Sequence, residues 1–106
     1  MQLDKITPDY FTNKRFEIFY KVRDTIIKAI NDDEFSKAYI YSIIGCNANE
    51  LKDHLEFQFE EGMNWDNFNS YWEISFLGNV GQHNIIIKSV AKRFFHYSRI
   101  IPKKIK

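Results

Sequence analysis

The chain has one cysteine, Cys46. That excludes an internal disulfide and fits a reducing, intracellular home, the cytoplasm of a host cell. No apolar run exceeds four residues, which excludes a membrane-spanning helix. Residues 1–10 carry no basic start followed by a hydrophobic stretch, so no secretory signal is read there. Four glycines and two prolines in 106 residues leave little material for linkers, and neither a repeat nor a domain boundary is visible. After Glu73 there is no acidic residue at all.

What is present is apolar and aromatic. The hydrophobic fraction is 44% and the aromatic fraction 17%, enough to pack one small domain over residues 1–106 and to exclude global disorder. Ile, Lys, Phe and Asn supply 45 of the residues. Their codons are rich in A and T, which points to an AT-rich genome such as that of a phage or a large virus. The net charge of +1 conceals a separation along the chain. Residues 1–46 are neutral, residues 47–73 carry −6, and residues 74–106 carry +7. Such blocks create local fields of opposite sign.

The periodicity predicts helices first. Phe16, Phe19, Val22, Ile26, Ile27 and Ile30 have helical spacing, giving a helix from about Phe11 to Ile30. Pro8 marks a turn or a helix start in an otherwise irregular N-terminus. The polar break "NDDE" caps a second helix over residues 35–44, ended by Gly45. Asn47 and Glu50 have capping-box spacing before a third helix, whose apolar stripe is Ala48, Leu51, Leu55 and Phe59 and whose stop is Gly62. "YWEISFL" alternates as a strand, with Trp72, Ile74 and Phe76 on one side. "GNVGQHN" reads as a loop. "III" at residues 85–87 opens as a strand before the short basic helix "KSVAKRFF", and Pro102 with the lysines finishes the chain.

The middle of the chain resembles a family. Ile44-Gly45-Cys46-Asn47, the helix running to Gln58-Phe59, and Gly62-Met63-Asn64-Trp65-Asp66-Asn67 are similar to the segment preceding the catalytic motif of small HNH endonucleases of phages and large viruses. Upstream, "KVRDTIIKAI" resembles that family's opening basic helix. Downstream, Phe95-His96-Tyr97-Ser98 resembles the element leading into its last strand. The resemblance covers roughly Lys14 to Pro102 and implies an α+β fold: N-terminal helices followed by a degenerate HNH-like ββα unit.

The departures fall on the chemistry. The family's Trp-His-Ile-Asp-His becomes Trp72-Glu73-Ile74-Ser75-Phe76, and its orienting Asn falls on Arg99. An HNH nuclease uses the final His to deprotonate water and the Asp, with a ligand from a later helix, to hold one divalent metal. Phe76 takes no proton, Ser75 is a poor ligand, and the chain ends shortly after Pro102. The resemblance therefore implies a pseudo-nuclease with no catalytic residue, no metal and no cofactor.

Other candidates have plainer readings. His54, His83 and His96 lack partners at metal-ligand spacing and read as structural or solvated. Trp65, Phe68, Tyr71, Trp72 and Phe76 resemble a base-stacking platform, but Trp65, Trp72 and Phe76 are read as core. Cys46 lies near a helix N-terminus, which would lower its pKa, yet it has no neighbouring base and is read as structural.

The leading expectation is nucleic-acid binding, DNA or RNA, through Lys14, Arg15, Lys21, Lys88, Lys92, Arg93, Arg99, Lys103 and Lys104. The alternative is a protein that inhibits a host defence nuclease, of anti-CRISPR or anti-restriction type, through the acidic face of Asp53, Glu56 and Glu60. A residual nuclease rebuilt around Glu73 is the third.

Overall fold

The computed structural model describes residues 8–105, with side chains from residue 13. The part of the N-terminus before Pro8, and Lys106 at the basic end, lie outside the described residues. Helix α1 spans Pro8–Ile30, starting earlier than the expected Phe11. Proline suits a first helical position, where its missing N–H would have no intrahelical partner. Ile26, Ala29 and Ile30 are buried on this helix, and Ile18, Phe19, Val22 and Ile27 pack against the core.

Helix α2, Glu34–Ile44, starts at Asp33, whose carboxylate accepts the Ser36 N–H at 2.8 Å. Ser36, through its hydroxyl and its backbone N–H, holds the Asp33 carboxyl below its ordinary range. Gly45 ends α2 at φ 83°, a left-handed conformation that a side chain disfavours. A Cβ there would also stand 3.3 Å from His96 Cδ2.

Helix α3, Ala48–Phe57, has the expected capping box. Asn47 Oδ1 accepts the Glu50 N–H at 2.8 Å, and Glu50 Oε1 accepts the Asn47 N–H at 3.1 Å. The helix stops before Gly62, so Phe59 lies beyond its end rather than on its face. There Phe59 packs on Trp72, with centroids 4.9 Å apart. Tertiary packing outweighs the extra turn of helix at this point.

Strand β1, Trp72–Phe76, pairs antiparallel with β2, Ile100–Lys104. The register sets Trp72 opposite Lys104, Glu73 opposite Lys103 and Phe76 opposite Ile100. Residue patterning alone gave no strand at β2, although the resemblance implied one. Pro102 obscured it, and a two-stranded sheet tolerates a proline because every strand is an edge. Between the strands lie a short 3₁₀ turn at Val80–Gln82 and helix α4, Lys88–Phe94.

The strand expected at residues 85–87 is absent: these residues form turns. Ile85 is buried while Ile86 and Ile87 are exposed, so the three isoleucines anchor one corner rather than line a sheet face. The architecture is α+β, mostly helical, with four helices and one antiparallel strand pair among the described residues. None of these helices is long and apolar enough to cross a membrane.

Candidate nucleic-acid interface

Alternation along β1 sorts its side chains. Trp72, Ile74 and Phe76 are buried, while Glu73 and Ser75 are half-buried on the other face. Phe76 packs against Phe19 at 5.4 Å, Phe95 at 5.5 Å and Phe94 at 6.2 Å between centroids. Trp72 sits in a second aromatic group with Phe59, Trp65 and Phe68, and its Nε1–H donates to the Asn64 carbonyl at 2.7 Å. These rings are core, as expected for Trp72 and Phe76. Trp65 is half-buried, with its Nε1–H on Glu56 Oε1 at 3.2 Å.

Glu73 faces cations. Arg23 lies 3.7 Å away, and Lys103 is its partner across the strand pair. Glu73 and Ser75 share a cleft of ≈ 470 Å³ with Phe19, Tyr20 and Arg23 of α1. Among the described residues, no three His, Cys, Asp or Glu side chains converge.

Arg99 closes the connection between the strands. The Leu77 N–H donates to the Arg99 carbonyl at 2.8 Å, and Arg99 Nη2 donates to the Leu77 carbonyl at 2.7 Å. Gly78, at φ 95°, lets this guanidinium in: a Cβ there would stand 2.8 Å from Arg99 Nη2 and 3.2 Å from His83 Cε1. Arg15 reaches the same loop from α1, donating from Nη1 to the Gly81 carbonyl at 3.0 Å. Arg93, on α4, lines a small hollow with His83, Phe94 and Arg99. Arg15, Arg93 and Arg99 thus gather around residues 77–83, and none of them makes an ion pair among the described residues.

The lysines are more dispersed. Lys88 and Lys92, one turn apart on α4, border a groove with Ile18, Val22, Ile43 and Phe95. Lys21 is exposed on α1, and Lys14 pairs with Glu17 at 3.8 Å. Lys103 and Lys104 sit at the far end of the sheet from Arg99. Lys104 Nζ lies 5.3 Å over the Tyr71 ring and shares a cleft with Glu60 and Glu61. The expected set therefore forms no single stripe.

On the acidic side, Asp53, Glu56 and Glu60 are exposed. The residue that sequence reasoning passed over is Phe57, 93% exposed among them. Its signal was its position off the Ala48, Leu51 and Leu55 stripe.

His54 Nε2–H donates to the Ile100 carbonyl at 3.2 Å, tying α3 to β2. His96 Nδ1 accepts the Ser98 N–H at 3.2 Å. Cys46 is buried, and burial first, then the Glu50 charge, pushes its thiol up to about 11. The lowering expected from the α3 N-terminus is outweighed. Asn67 holds the turn before β1. It exchanges two bonds with Asn64, each 3.0 Å, and its Nδ2 donates to the Gly62 carbonyl at 2.7 Å.

No family model matches the chain, and no solved structure matches it. It is similar to an uncharacterized protein of Acanthamoeba polyphaga mimivirus, 32% identical over 65 residues, which is 61% of this chain and 28% of that protein. A second uncharacterized protein of the same virus is 25% identical over 87 residues, covering 82% of this chain and 38% of its own length. The chain thus spans 28% and 38% of these curated relatives, both from a large virus.

Proposed function

We propose that this chain is an HNH-like nucleic-acid-binding module without cutting chemistry. The observation that carries the reading is the gathering of Arg15, Arg93 and Arg99 around the loop between the strands. Arg93, Arg99 and the loop itself lie in residues 74–106, a segment that contains no acid. Guanidinium groups with no carboxylate partner among the described residues are natural contacts for a phosphate backbone.

The HNH-like part of the proposal draws on the strand pair and its long connection. Phe76 stands where the family's proton acceptor would be, and Arg99 where its orienting Asn would be. Arg99 still ties the end of β1 through Leu77. Phe76 puts a ring where a stranded imidazole would need a partner. Binding at the arginines is electrostatic and largely independent of sequence. A gel-shift assay at low salt tests it: wild type retards DNA or RNA, and Lys92→Glu with Arg93→Glu abolishes the shift. Absence of a wild-type shift overturns it.

A second reading rests on Phe57. An aromatic ring 93% exposed beside Asp53, Glu56 and Glu60 suits a protein contact better than a solvated helix face. In this reading the chain occupies a host defence nuclease or CRISPR effector with a basic surface. A stoichiometric host protein recovered by wild type, and lost with Phe57→Ser, supports it.

A further inference from the structure

We propose that His83, Arg93 and Arg99 form a phosphate-binding pocket, the anchor point of the nucleic-acid interface. The inference rests on the nucleic-acid reading for the source of the phosphate and deepens it by naming the site. The three side chains line one hollow of ≈ 300 Å³ together with Val90 and Phe94. They come from three separate parts of the chain: the loop, helix α4 and the approach to β2.

Their placement is built. The Phe94 ring lies 5.2 Å from the His83 ring between centroids. His83 Nδ1–H donates to the Asn79 carbonyl at 2.8 Å, so that nitrogen is committed to the loop, and no hydrogen bond among the described residues uses Nε2. Arg99 spends Nη2 on Leu77, while its Nε is buried without a partner among the described residues. Arg15, which donates to the Gly81 carbonyl, has its Nε in the same condition among the described residues.

Gly78 is what brings two of the groups together. Arg99 Nη2 and His83 Cε1 both approach the point where a Cβ would be, at 2.8 and 3.2 Å. Two guanidinium groups line one hollow, and the segment from Ile74 to Lys106 supplies no carboxylate to neutralise them. A tetrahedral phosphate, whether the monoanionic diester of a nucleic-acid backbone or inorganic phosphate, offers several acceptor oxygens to that donor set.

The test is a titration of labelled protein with sodium phosphate, followed by amide resonances and matched against sodium chloride at equal ionic strength. Arg93→Ala is the informative variant, because no described hydrogen bond or ion pair needs its side chain. Lys28→Ala, which removes an exposed ion pair with Asp24, is the control. Saturable phosphate shifts at Gly81, His83 and Arg93, weakened about tenfold in Arg93→Ala and unchanged in the control, support the pocket.

Shifts that chloride reproduces, or that Arg93→Ala retains, overturn it. A parallel titration with an oligonucleotide separates the sources. If the oligonucleotide moves the same resonances, the ligand is a nucleic-acid phosphate. If inorganic phosphate saturates the site and no oligonucleotide binds, the pocket stands and the nucleic-acid reading fails. If oligonucleotide binds without touching these resonances, the pocket is wrong and the nucleic-acid reading survives.

Discussion

Phe19 of α1 and Phe76 at the end of β1 meet edge to face, with ring centroids 5.4 Å apart. The contact joins the long helix to the strand at the position that the proposed HNH-like reading equates with a proton acceptor. Phe94 and Phe95 complete the cluster. Phe76→Ala is expected to cost about 3–5 kcal/mol in urea unfolding, the range for removing a buried ring. Phe76→His introduces the residue that the proposed HNH-like reading expects there, but places an imidazole among rings without a partner. It is expected to cost about 2 kcal/mol rather than to gain anything. A neutral or stabilising Phe76→His would show that this position is not the core.

Divalent metal should have no effect. Glu73 has Arg23 at 3.7 Å and Lys103 across the strand pair, and cations beside a carboxylate compete with a metal for it. Plasmid incubated with the protein and Mg²⁺, Mn²⁺ or Zn²⁺ is expected to stay supercoiled, with no shift in melting temperature. Nicking that Glu73→Ala removes would establish the rebuilt nuclease instead. The Arg23–Glu73 pair is half-exposed, so Glu73→Gln is expected to cost at most about 1 kcal/mol.

Cys46 is predicted to be inert in the folded protein. Its thiol is raised from 9.0 to about 11 by burial and the nearby Glu50. A raised folded pKa means that the folded state favours the protonated thiol. That contribution to stability is therefore complete below about 9 and is lost as pH rises towards about 11. Thiol labelling at pH 8 should be slow in buffer and fast in denaturant. Chemical unfolding midpoints should fall in this alkaline window in wild type, and less so in Cys46→Ala.

The turn residues are testable by deletion. Asn47→Ala removes the side-chain half of the α3 capping box, the Oδ1 that accepts the Glu50 N–H, and keeps the backbone N–H that Glu50 accepts; it is expected to cost about 1 kcal/mol. Asn67→Ala loses the bond its Oδ1 accepts from the Asn64 N–H and the bond its Nδ2 donates to Gly62, and keeps its backbone N–H on Asn64. It is expected to cost about 1–3 kcal/mol, since the partners lose bonds they made in the fold. Both are read from urea unfolding, and a smaller effect at Asn67 than at Asn47 would contradict the account of the turn.

Local signals carried the helices. The Asn47–Glu50 capping box, the Asp33 cap and the Gly45 stop are all readable from adjacent residues, because caps are short-range chemistry. The inward set of Trp72, Ile74 and Phe76 followed from alternation in the same way. What escaped was long-range. Pro102 hid β2, whose pairing depends on a partner 28 residues away in register with Ile74. Ile85, Ile86 and Ile87 suggested a strand, but no neighbour was there to pair with it. Phe59 looked helical because its spacing fitted, and only the Trp72 cluster explains why the helix stops short of it.

The basic residues show the same division. Their number was plain in the sequence. That Arg99 turns back onto Leu77, Arg15 onto Gly81, and Lys104 towards Glu60 and Glu61 depends on the fold. So does the meeting of His83 with Arg93 and Arg99, which no spacing rule connects.

The central claim is that the chain binds nucleic acid through its arginines. The direct measurement is fluorescence anisotropy of a labelled oligonucleotide titrated with the protein at a series of salt concentrations. The account predicts saturable binding at low salt and a logarithm of affinity that falls linearly with the logarithm of salt. With about three phosphates engaged, the slope is about −2 to −3, and Arg93→Ala makes it shallower by about one. No binding at low salt, or binding indifferent to salt, would contradict it.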